Sequence, residues 1–192
     1  MMITTNFYNP TTITSVGSIN SVTNEPSISW SFNEVISESS RAMTNKPLYT
    51  ISGLWMEQFR SVTDQLWCTN LQIPDLERPV LGIEFSLNCL RQARIQDSII
   101  QLTLNGSLIG TDHASTINPV QSDMYTGDLT TPSPIGDYNI YGGASDMWGT
   151  TLTSTQIADP TFGIVIGFSS NHIYPHRDLA YIDQIGIRIT YG

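Results

Sequence analysis

A chain of 192 residues is long enough to bury a substantial core as one domain without disulfide or metal staples. Charged residues are only 13% of it, 17 acidic against 8 basic for a net charge of −9, which excludes the dense positive face that direct nucleic-acid binding requires. No run approaches the roughly 20 apolar residues of a membrane span, and the opening MMITTNFYNP lacks the basic end and apolar run of a signal peptide, so synthesis in a cytoplasm without membrane insertion is expected.

Residues 1–26 read as an extended arm outside the core, because Thr, Ser and Asn fill most positions and apolar residues are scattered. Residues 27–192 read as the folded domain. Trp30 and Phe32 alternate with polar neighbours and mark a first half-buried strand. A second runs from Leu66 to Ile73, with Trp67, Thr69, Leu71 and Ile73 on one face, and ends at Pro74. The clearest alternation is Val80 to Leu90, where Leu81, Ile83, Phe85, Leu87 and Cys89 face one way and Gly82, Glu84, Ser86 and Asn88 form a wet face. Ile99–Leu104 and Leu108–Gly110 form a hairpin, since Asn105-Gly106 accepts the positive φ of a two-residue turn.

A long polar loop spans about Thr111 to Asp146. After Trp148, a hydroxyl near Thr153 caps one helical turn. Phe162, Ile164, Ile166 and Phe168 then share a strand face opposite Gly163, Val165 and Gly167, and Ile185, Ile187 and Ile189 share another opposite Gln184, Gly186, Arg188 and Thr190. Several strands and no long helix predict an all-β fold of two antiparallel sheets packed as a jelly-roll-like sandwich, with strand order left open.

Ordered segments from about residue 66 to 192 carry a likeness: LQIP from Leu71 to Pro74, Leu81-Gly82-Ile83-Glu84-Phe85, Asp97-Ser98-Ile99-Ile100-Gln101-Leu102 through Leu108-Ile109-Gly110, YGGASDMWG from Tyr141 to Gly149, Thr161-Phe162-Gly163-Ile164, and the closing stretch Tyr181 to Tyr191. Together they resemble a β-sandwich domain that recurs in uncharacterised bacteriophage and prophage proteins. The resemblance implies a virion-associated role, as a head decoration, neck or tail accessory, or fibre attachment component, and supplies no catalytic motif. The loops at 171–178 and between Asp112 and Tyr141 depart from the pattern.

Within YGGASDMWG, Gly142 and Gly143 permit a left-handed turn, Asp146 is placed to accept N–H bonds, and Tyr141 and Trp148 return to one apolar layer. Asp183 shares the parity of Ile185 and Ile187, which directs a carboxylate inward and demands donors. Tyr125, Tyr138, Tyr141, His172, Tyr174 and His176 are the candidate interface or glycan contacts, as aromatic and imidazole groups in loops. His172 and His176 have a helical ligand spacing, but Pro175 opposes a helix, so no zinc site is expected. Asp123, Asp128, Asp137 and Asp146 lack EF-hand spacing, so no calcium site is assigned. Cys68 and Cys89 fall in strands and read as buried thiols. No nucleophile elbow or phosphate loop occurs, and no cofactor is implied.

The expected function is non-enzymatic: a virion protein contacting other virion proteins and further copies of itself in a symmetric assembly. A module that binds a host glycan is the alternative.

Overall fold

The computed structural model describes residues 1–17, 19, 27, 29–32, 51–56, 62–91, 95–115, 138–170 and 178–192. Among them run eleven strands and one short helix: β1 (Ile3–Thr4), β2 (Thr12–Val16), β3 (Ser31–Phe32), β4 (Ile51–Met56), β5 (Gln65–Thr69), β6 (Val80–Arg91), β7 (Ile95–Leu104), β8 (Ser107–Ile109), β9 (Tyr138–Gly142), α1 (Ser154–Ala158), β10 (Gly163–Ser170) and β11 (Asp178–Tyr191). One sheet has the order β3-β4-β11-β6-β9 with β1 also on β11, and the other β2-β5-β10-β7-β8.

The antiparallel pairs β4–β11, β5–β10, β6–β9 and β7–β8 are nested. From β4 to β11 the chain is thus one long hairpin, rolled so that its strands divide between two sheets, which is a jelly roll. Alternation builds the common layer. Ile83, Phe85 and Leu87 from β6 and Ile187 and Ile189 from β11 meet Leu66, Cys68, Ile100, Leu102, Ile164, Ile166 and Phe168 from the other sheet, all fully buried. Asn105 and Gly106 have φ of 52° and 71°, the backbone a tight β7–β8 turn needs. Thr153 caps α1 in a reciprocal box with Gln156.

Several expectations are corrected. On β5 the core residues are Leu66 and Cys68, and Trp67 lies on the opposite, half-buried side. The predicted face fails because β5 ends at Thr69. Asn70 and Gln72 take φ of 57° and 56°, so Leu71 and Ile73 reach the core through an irregular segment. Leu81 is exposed, because the register shift between Thr190 and Tyr191 puts Val80 rather than Leu81 against the core. Val165 is buried although it lies opposite Ile164 and Ile166, flanked in register by Trp67 and Gln101. The long loop is interrupted by β9, a five-residue strand too short and glycine-bounded to show periodicity.

The N-terminal segment is extended, and it is also part of the sandwich. β4 covers one edge of β11 only as far as Ile182. Beyond that, β1 pairs with Tyr191 and Thr190, Thr5 N–H donates to the Ile189 carbonyl at 2.9 Å, and Tyr8 and Ile187 exchange bonds of 2.7 and 2.9 Å. The chain then crosses to the other sheet, where β2 lies on β5 from Thr12↔Thr69 to Val16↔Gln65. Backbone ladders need no apolar side chains, so a Thr-rich segment can close both edges.

The arm also roofs the face expected to be wet. Phe7 lies over Gly186, the Arg188 guanidinium sits 4.8 Å from the Phe7 ring centre, and Arg188 pairs with Glu84 at 2.8 Å. Ser86, on that side, is buried. Asp64 ties the crossing down: its carboxylate accepts from Ser15 at 2.8 Å and from Ser27, and its carbonyl accepts Trp30 Nε1–H at 2.9 Å.

Deleting residues 1–16 uncovers an edge of each sheet. The thermal midpoint should fall by more than about 5 °C, the equivalent of about 2 kcal/mol for a chain of this size, with self-association visible by light scattering. An unchanged midpoint would show the arm to be a passenger.

A second expectation concerns Tyr191, whose hydroxyl is buried and finds no hydrogen-bond partner among the described residues. Burial first, then the charges of Tyr8 and Asp75, push its pKa from 10.0 up to about 12. The folded state favours the protonated phenol, so its contribution is complete below pH about 10 and is lost as pH rises towards about 12. Tyr191→Phe should flatten that alkaline loss and leave stability at pH 7 equal or higher, because an unpaired buried hydroxyl is removed. Urea titrations at pH 7 and pH 11 measure both.

Candidate functional site

The Gly-rich segment after β9 folds into a clamp around one residue of β6, Ile83. Asp146 N–H donates to the Gly143 carbonyl at 3.1 Å, closing a tight turn. Ile83 N–H then donates to the Asp146 carbonyl at 2.9 Å, while the Ile83 carbonyl accepts from Gly143 N–H at 3.1 Å and from Trp148 Nε1–H at 2.9 Å. The turn lies so close to β6 that a Cβ at Gly82 would strike the backbone of Gly143 and Ala144.

Trp148 is fully buried at φ 54°, a left-handed backbone that is costly for a bulky residue. Its main chain is held on both sides. Trp148 N–H donates to Asp146 Oδ1 at 2.7 Å, and its carbonyl accepts from Thr111 N–H at 2.6 Å. Gly142, at φ 70°, is required because a Cβ there would run into the Ile83 carbonyl and the Trp148 indole nitrogen. Gly143 does not share that need: its φ is not in the left-handed range and nothing lies within 4 Å of a Cβ there, which corrects the expectation of a paired left-handed turn.

The clamp also reaches the other sheet. His113 N–H donates to the Ile100 carbonyl at 2.8 Å, its ring lies 4.1 Å from the Trp148 ring at 33°, and its Nε2 is 3.8 Å from Asp146 Oδ2. Asp112 Oδ1 accepts from Ile100 N–H at 2.9 Å and Ala114 N–H at 2.8 Å, replacing a strand partner for β7. Trp148 therefore plugs one end of the sandwich while bonds to Ile83 and Ile100 tie the two sheets together.

Tyr141, read both as a member of the apolar layer with Trp148 and as a candidate contact for glycan or partner, is an interior residue. It is 8% exposed, stacks on Phe85 at 5.5 Å and donates its hydroxyl to Asp97 Oδ2 at 2.9 Å. Its parity, shared with the inward side of β9, decides this. Asp97 is itself buried, because the bulge between Gly167 and Phe168 sets it opposite Phe168, and it also accepts Ser115 N–H at 3.1 Å.

Asp97 and His113 were both missed from sequence. Asp97 carried a signal, a carboxylate on the parity of Ile95 and Ile99, the same signal that drew attention to Asp183. The Asp183 side chain lies outside the described residues, as do Tyr125, His172, Tyr174, His176, Asp123, Asp128 and Asp137. Tyr138 opens β9 opposite Asn88, with its side chain likewise outside them.

Among the described residues no three His, Cys, Asp or Glu side chains converge on a common point. Cys68 and Cys89 are buried on opposite sheets, and burial pushes the Cys68 thiol far above its usual range, which makes it inert. The clamp's hydrogen bonds run within itself and to Ile83 and Ile100, so its geometry is that of a latch. Scans against family models, curated proteins and solved structures each return no match.

The two glycines give a matched test. Gly142→Ala should cost more than about 2 kcal/mol, from the left-handed backbone together with the collision at Ile83. Gly143→Ala should change stability by less than about 0.5 kcal/mol. Chemical denaturation of the two variants reads the difference, and equal costs would mean that the turn is not built as described.

Proposed function

We propose that this chain is a non-enzymatic structural component of a bacteriophage particle, a head decoration or a neck or tail accessory, working through repeated protein–protein contacts. The observation that carries the reading is the use made of the YGGASDMWG unit, the most distinctive segment of the likeness to phage and prophage proteins. Its glycines, Asp146 and Trp148 serve a latch that locks two sheets into one rigid body. Rigidity is what a repeating building block needs, because each contact must recur with the same geometry across a symmetric array. The acidic balance of 17 carboxylates against 8 basic residues adds support, since it keeps a high-copy component apart before assembly.

Quantitative mass spectrometry of gradient-purified particles from cells producing this chain tests the reading. The chain should co-purify at a fixed, symmetry-related ratio to the major particle proteins and survive high-salt washing. Recovery only in the soluble fraction, or turnover of envelope polysaccharide by the purified chain, would overturn it.

A further inference from the structure

The turn between β7 and β8 holds the one Asn-Gly pair of the sequence, Asn105-Gly106, and it stands in the open. Asn105, Gly106, Ser107 and Leu108 are all exposed, and nothing lies within 4 Å of where a Cβ on Gly106 would be. Such a pair carries both partners of a reaction. The main-chain nitrogen after an asparagine can attack the side-chain amide carbon, and glycine, having no Cβ, leaves that nitrogen unshielded. Base removes the Gly106 N–H proton, the nitrogen bonds to Asn105 Cγ, and the Cγ–Nδ2 bond breaks as the amide takes up a proton and leaves as ammonia. Water then opens the five-membered imide. Attack at Cγ gives aspartate, and attack at the main-chain carbonyl gives isoaspartate, whose main chain is one methylene longer.

Two features of the fold hold this chemistry back. Both turn residues have positive φ, 52° and 71°, the mirror image of a type I turn, whose first central residue has a small positive ψ. The imide ring requires a negative ψ at Asn105, so closing it pulls apart the Leu104↔Ser107 pair that seals the turn. The second feature is Thr161. Its Oγ1 accepts Asn105 N–H at 3.0 Å and lies 3.2 Å from Asn105 Oδ1. A hydroxyl donating to Oδ1 would favour attack by stabilising the charge that builds there. Thr161 has one hydroxyl proton, however, and a carboxylate, Asp159 Oδ1, takes it at 2.6 Å in preference to an amide oxygen at 3.2 Å. Bonds from the Thr161 hydroxyl and then its N–H hold the Asp159 carboxyl below its usual range, so it is ionised at neutral pH. Thr161 is therefore a tether for Asn105 and not an activator.

We propose that Asn105 is a self-modification site, converting slowly to aspartate and isoaspartate, and that the β7–β8 turn and its Thr161 tether set the rate. The longer main chain of isoaspartate no longer fits a two-residue turn, so its formation loosens β8, which leads through Gly110 to the bond between Thr111 N–H and the Trp148 carbonyl. This chemistry belongs to the single chain and is independent of whether the chain joins a particle.

Purified full chain is held at mildly alkaline pH, native and in denaturing urea, then digested and read by peptide mass spectrometry, with isoaspartate counted by enzymatic methylation. Asn105 should exchange NH2 for OH in both states, at least about 10-fold more slowly in the native chain because the turn must first open. Thr161 is exposed, so Thr161→Val should fold, and it should speed the native reaction about 3- to 10-fold, the worth of one hydrogen bond. Thr161→Ser keeps the acceptor and should stay near the wild-type rate. An Asn105 that stays unmodified in urea, equal rates in the two states, or a Thr161→Val chain no faster than the wild type would each overturn the proposal.

Discussion

The ladder between β6 and β11 is the constraint on which the rest of this molecule depends. Eleven residue pairs from Ala180↔Arg91 to Tyr191↔Val80 join segments about a hundred residues apart. Each strand then offers its second edge to something else: β9 docks on β6, and β4 followed by the N-terminal segment docks on β11. Both strands also project alternate residues into the layer shared with the other sheet. A slip of one residue in this register would turn Ile83, Phe85 and Leu87 away from the face that Ile187 and Ile189 occupy, so burial of one face enforces the pairing everywhere else.

Two devices tie the sheets together beyond apolar packing. At one end Trp148, held left-handed by Asp146, bonds to β6 while His113 on its ring bonds to β7. Along the edges the N-terminal segment pairs first with β11 and then, through β2, with β5. Both devices rely on backbone groups that would otherwise be orphaned, and hydrogen bonds made in the interior discriminate between arrangements more sharply than apolar contact does. A buried carboxylate serves each device: Asp97 receives Tyr141 beside the clamp, and Asp64 receives Ser15 and Ser27 at the crossing.

Much of this architecture was legible in the chain, and the illegible parts share a cause. Ile164, Ile166 and Phe168, or Ile185, Ile187 and Ile189, declare their strands because one side of each faces a dry layer. β1, β2 and β9 make no such declaration. They are edge elements stabilised through backbone bonds, and Thr, Ser, Asn and Gly serve there as well as Ile does. Trp67 was misassigned because left-handed residues at Asn70 and Gln72 break the alternation just past it, and φ is not written in a hydropathy pattern. Tyr141 carried two readings because aromatic residues bearing a hydroxyl suit a surface as well as a core, and its place on the inward side of β9, with Asp97 in reach of its hydroxyl, decides between them.

From the sequence alone came the fold class, the periodic core strands, the Asn105-Gly106 turn and the Thr153 cap, all of which are local and follow from the stereochemistry of a few adjacent residues. Tertiary structure alone decided the nesting of β4 to β11, the capture of the N-terminal segment by both sheets, and the meeting of Trp148 with Ile83, His113 and Ile100. Those contacts join residues tens to more than a hundred positions apart. Which partner is chosen depends on the simultaneous burial of every face, a property that no single segment carries.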